Sequence, residues 1–201
     1  MITILLAIAL SVSYVDDVSK AQRDIAAASQ SEAKSAAQAS YERFHQIATK
    51  NPDDFLARSY AGLFAAQRCQ YTSNVAERSK YMDEAIPLLD KAVRDATKAG
   101  DEQALAETLF NRAEIYTVLP SIFHKEKIAL ADAKKLASIA PASDATLRAR
   151  ARLLLVRALA RTGDTAKAQA LLREIEHETG FPAAALKRDL SIATKLVKEA
   201  K

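Results

Sequence analysis

Arg152–Ile175, RLLLVRALARTGDTAKAQALLREI, decides the fold. Its first half reads as a helix whose Leu155 and Val156 face a partner helix. Gly163-Asp164 makes a turn, and Ala168 and Leu172 then open the inner face of a second helix running back along the first. Two antiparallel helices approach to about 8 Å only where the side chains at their crossing are small. Val156 and Ala168, twelve positions apart, mark that crossing.

Two further segments align with this one. Leu109–Pro141, LFNRAEIYTVLPSIFHKEKIALADAKKLASIAP, places Ala113 and Ala129 at the contact, Tyr116 at the close of the first helix's inner face and Pro141 as the stop. Its spacing from Ala113 to Ala129 is sixteen, so the turn around Pro120-Ser121 is longer. The earliest copy pairs FLARSYAGLFAAQ, with Ala61-Gly62 at the contact, to YMDEAIPLLDKAV, with Ala85, Leu89 and Ala92 inward. Here an insert around Gln70–Glu77 reads as a polar loop, and Pro87 predicts a late start or a kink in the second helix.

A small residue eighth in helix A with an Ala twelve positions later in helix B resembles the tetratricopeptide repeat (TPR). The resemblance covers about Asp53–Glu176 and implies an all-α fold, a right-handed superhelical stack of antiparallel helical hairpins. In domain terms, 1–13 is a signal peptide or an apolar N-terminal helix and 14–52 an Ala-rich helix or divergent hairpin. Three TPR-like repeats fill 53–180, and 181–201 is a capping helix, starting at Phe181-Pro182, that covers the last repeat's apolar face. Within 14–52, YERFHQIATKNPDD looks like an isolated helix B with Phe44 inward. No Gly, Pro or Asn breaks the chain before it.

The family's second, fifth, sixth and ninth helix A positions line a concave groove. By resemblance these are Leu56, Ser59, Tyr60 and Leu63 in the first repeat and Glu107, Phe110, Asn111 and Glu114 in the second. In the third they are Arg150, Leu153, Leu154 and Arg157, with Arg161 one turn beyond. They imply an apolar floor of Tyr60, Leu63, Phe110 and Leu153 leading to a basic end, where arginines can grip a carboxylate with two parallel hydrogen bonds. The carboxylate clamp of chaperone-binding TPR domains is not reproduced, because Ser59 and Leu63 stand where the family has Lys and Asn.

Composition agrees with helices. Four Gly and five Pro are few for 201 residues, and Ala21–Ala48 is rich in residues that lose least on entering a helix. No run alternates as a half-buried strand does. The net charge of +4 is concentrated late: from Ala142 to Lys201 twelve Lys and Arg stand against seven Asp and Glu. The excess favours an acidic partner, yet without interleaved aromatics it does not point to nucleic acid. Ile2–Val12 is apolar apart from Thr3 and Ser11, too short for a membrane span of roughly 20 residues. Small residues Ser11 and Ser13 fit cleavage after Ser13 and export to a bacterial periplasm, although no Lys or Arg precedes the run. Cytoplasmic residence with a docked apolar helix is the alternative. Cys69 is the lone cysteine and is silent on compartment.

For chemistry, His45, His124 and His177 fall in three different hairpins and lack the converging partners a zinc site needs. There is no phosphate-cradling glycine loop and no nucleophile elbow. Asp16-Asp17 and Asp53-Asp54 suit helix starts. The sequence therefore predicts a partner-binding scaffold with no catalytic residues, no metal and no cofactor. Self-association through Ala26–Ala39, or a small-molecule or lipid carrier using the groove, are the alternatives.

Overall fold

The computed structural model describes residues 2–140, 144–184 and 186–199, with side chains from Tyr14 onward except Val15. Pro141, the expected stop of the second repeat, and the side chains of the apolar leader lie outside the described residues. Among the described residues there are nine α-helices and no strand: α1 (Ile2–Ala27), α2 (Gln30–Lys50), α3 (Phe55–Gln67), α4 (Val75–Ala99), α5 (Glu102–Val118), α6 (Glu126–Ile139), α7 (Ala145–Arg161), α8 (Thr165–Glu176) and α9 (Lys187–Glu199). The chain divides into two compact units, Met1–Thr108 and Leu109–Lys201, and α5 contributes to both.

In the first unit, residues 14–52 form parts of two helices, with the break at Ala28-Ser29. The break has a chemical cause: Ser29 donates its backbone N–H (3.0 Å) and its hydroxyl (2.6 Å) to Glu32. This Ser-x-x-Glu pairing marks a helix start. Tyr14 of α1, Phe44 of α2, and Tyr60 and Phe64 of α3 then form one aromatic cluster with ring centroids 5.3–6.4 Å apart. Asp54 caps α3 by accepting from the Ala57 N–H at 2.8 Å, and its other oxygen takes the Tyr14 hydroxyl at 2.8 Å.

The α3–α4 hairpin crosses at Gly62. A Cβ there would stand 2.7 Å from Leu89 Cγ and 3.2 Å from the Ala85 carbonyl oxygen, so only Gly permits this approach. The insert differs from its expected form. Arg68–Tyr71 is a 3-10 turn, and α4 already begins at Val75, because Asn74 accepts the N–H groups of Ala76 (2.9 Å) and Glu77 (3.3 Å). Pro87 neither delays nor ends α4, which runs on to Ala99. Both Pro87 and Asp83, whose carbonyl loses its donor, are exposed, so water can satisfy the freed group.

In the second unit α5 and α6 are tied by Arg112, whose Nε and Nη2 donate to the Asp132 carboxylate at 2.7 and 2.8 Å. Ala113 and Ala129 are buried at the expected contact positions. The longer turn between these helices is a 3-10 turn closed by His124 in the left-handed region (φ 51°). Gly163 (φ 82°) turns α7 into α8, and Val156 and Ala168 are both fully buried. One apolar core joins Leu153, Val156, Leu172 and Ile175 to Leu186, Ala193 and Val197 of the last segment. That last helix starts at Lys187, five residues after Pro182: Gly180 takes the left-handed region and Ala183-Ala184, exposed, have little to bury.

Candidate functional site

The predicted groove residues of the first unit are largely inside it. Ser59 (0%), Tyr60 (1%) and Leu63 (7%) are buried, and Leu56 and Glu107 are half-buried. Tyr60 packs on Phe44 and Tyr14, while its hydroxyl donates to Glu107 Oε1 at 2.9 Å, so two predicted lining residues serve each other. Tyr60 and Leu63, expected in the apolar floor, are thus buried among the helices. The physical reason is the area of these side chains, each favoured by roughly 1.5–3 kcal/mol when water is excluded from it.

The second unit's members pair with one another along α5 and α7. Phe110, Asn111, Leu153, Leu154 and Arg157 are buried, with Glu114, Arg150 and Arg161 half-buried. The Arg150 guanidinium lies over the Phe110 ring, 4.0 Å from its centroid, a cation–π geometry. Arg157 Nη1 donates to Glu114 Oε2 at 2.7 Å, and Arg161 Nη2 to the Leu119 carbonyl at 2.7 Å. Here too the apolar floor is covered, Leu153 lying in the core that α9 completes.

One member was not anticipated. Asp189 of α9 stands 3.8 Å from Arg150 Nε, an ion-pair distance beyond hydrogen bonding. Burial pushes its carboxyl above the usual aspartate range, and Glu114 adds to that, against the pull of Arg150, Arg157 and Arg188. A signal existed: Asp189 and Ala193 are four apart, which puts a carboxylate on the helix face that Ala193 and Val197 bury. Such an acid needs a cation nearby.

The first unit holds a second buried guanidinium that sequence reasoning passed over. Arg68 lies between the rings of Tyr41 (4.0 Å) and Tyr81 (4.1 Å), donates to Gln38 at 2.6 Å and pairs with Glu84. It joins α2 to α4 beside the insert and reads as a structural clamp. In the Ala-rich stripe Ala33 and Ala37 are buried within the chain, at 2% and 0%, while Ala26, Ala27 and Ala39 are exposed. Among the described residues no group of three or more His, Cys, Asp or Glu is placed to hold a metal ion. No helix among them is long and apolar enough to cross a membrane. The chain matches no protein-family model, and no curated protein or solved structure matches it significantly.

Proposed function

We propose that this chain is a TPR-like scaffold, a right-handed stack of helical hairpins without catalytic role, that binds an acidic peptide or helix of a partner protein. The binding end is the cluster around Arg150, Arg157 and Phe110. The hairpin crossings at Gly62, Ala113, Ala129 and Ala168, all buried, support the TPR likeness. The observation that carries the binding role is Arg150 itself. Its side chain keeps 37% of its exposure, is held in place on Phe110, and meets its nearest carboxylate without a hydrogen bond. A pre-oriented, partly solvated guanidinium is a ready partner for a carboxylate. Fold alone would not argue function, so the reading rests on this site.

Export to a bacterial periplasm is part of the proposal. A mature chain beginning at Tyr14, after cleavage behind Ser13, keeps the Tyr14 contacts with Phe44, Tyr60 and Asp54. The test is photo-crosslinking in the producing cell, with a photoreactive residue beside Arg150, in the unaltered chain and in Arg150→Glu. A bidentate charge-assisted contact is worth about 1.5–3 kcal/mol, so capture of a discrete partner should fall by roughly tenfold to a hundredfold. Equal capture by a folded Arg150→Glu protein removes this end as the site, and capture of no discrete protein removes the scaffold reading.

A further inference from the structure

Arg157 is 2% exposed, and a guanidinium buried so far needs its donors met. One is: Nη1 donates to Glu114. Nε and Nη2 are buried and have no acceptor. These two N–H groups lie side by side on one edge of the guanidinium and form the fork that a planar carboxylate bridges with two parallel hydrogen bonds. Arg161, one helical turn on, likewise has a buried Nε without an acceptor. Local charge runs the same way, since α7 sets Arg150, Arg157 and Arg161 against Glu114 and Asp189.

Asp189 is not the acceptor this fork is shaped for. It comes to 3.8 Å from Arg150, donates and accepts nothing there, and is disfavoured as an anion by its burial and by Glu114. Yet α9, which carries it, packs against α7 and, less extensively, α8. The helix is reached through non-helical chain, with Gly180 in the left-handed region (φ 84°) and Pro182 following.

We propose that the unmet edge of Arg157, together with Arg150 on Phe110, is a receptor for a carboxylate side chain of an acidic segment of a partner protein, and that α9 is the strap that gives way to admit it. The proposal rests on the scaffold reading and names the chemistry its partner must carry. Asp189 is then a placeholder: it keeps a carboxylate in the neighbourhood of the arginines without making the two hydrogen bonds that an incoming acid makes.

The test uses the full chain and a fluorescent decaglutamate peptide, with decaglutamine as control. Anisotropy should show binding of decaglutamate alone, weakened tenfold or more in Arg157→Lys, which keeps the charge but loses the fork. In the unaltered protein the Arg157 Nε–H resonance should shift on titration, and α9 amides should exchange faster with solvent when peptide is bound. Equal binding by Arg157→Lys, or an Nε–H resonance unmoved at saturation, overturns the receptor. Should Arg157→Lys fail to fold, the resonance of the unaltered protein decides alone. If that resonance stays put while capture of the native partner still depends on Arg150, the receptor falls and the scaffold reading survives.

Discussion

Replacing Gly62 by Ala adds one methyl group where α3 comes nearest to α4. The new Cβ would sit 2.7 Å from Leu89 Cγ, 3.0 Å from Leu89 Cδ2 and 3.2 Å from the Ala85 carbonyl oxygen. The first is a branch carbon and the last is backbone, so neither moves without cost. Leu89 is 0% exposed, so it cannot move aside into solvent without leaving the core. Overpacking of this kind costs typically about 1–3 kcal/mol. Against it stands the helix preference of Ala over Gly, about 1 kcal/mol in an interior position. The difference is a net loss of roughly 0–2 kcal/mol. Urea unfolding followed by circular dichroism at 222 nm should show a lower midpoint with an unchanged slope. The double variant Gly62→Ala with Leu89→Ala sharpens the test: Leu89→Ala alone should cost about 2–5 kcal/mol, and the pair should lose less than the sum, because the methyl enters the vacated space. Stabilisation by Gly62→Ala of about 1 kcal/mol, or strict additivity in the pair, would refute close approach as the reason for glycine here.

Two further outcomes are expected. Arg68→Ala removes the Arg68–Glu84 pair and opens the slot between Tyr41 and Tyr81, so the same unfolding assay should show a loss of about 1–3 kcal/mol. For Asp189 the docked carboxyl titrates above the ordinary aspartate range. Between the ordinary and the raised value the docked form alone holds the proton, so α9 docking strengthens as pH falls through that interval and is weakest above it. Hydrogen exchange of α9, corrected for intrinsic rate, should show more protection at acid than at neutral pH, and Asp189→Asn should abolish the difference.

Much of the second unit was legible because its signals are local. Gly163-Asp164 is a turn by its own chemistry, and Ala113, Ala129 and Ala168 are buried where their spacing put them. The break at Ala28-Ser29 was also written in the chain, as Ser29 with Glu32, but in a weaker alphabet than Gly or Pro. The groove was legible as a set of neighbours and not as a surface. Tyr60 meets Glu107, Phe110 meets Arg150, and Glu114 meets Arg157, all pairs of predicted lining residues. Whether such a pair faces water depends on elements far off in sequence, here Tyr14 and Phe44 in one unit and α9 in the other.

The amino-acid sequence by itself determined that this chain is helical, where most of its helices turn back, and which small residues let them cross. Those properties follow from backbone preferences and from side-chain size within a few turns. Only the tertiary structure decided that Arg157 is buried with one edge of its guanidinium unmet, that Asp189 stands 3.8 Å from Arg150 without a hydrogen bond, and that Arg68 is held between two tyrosine rings. Charge pairing and desolvation depend on which groups come within a few ångströms from separate helices, and separation in space is not written in separation along the chain.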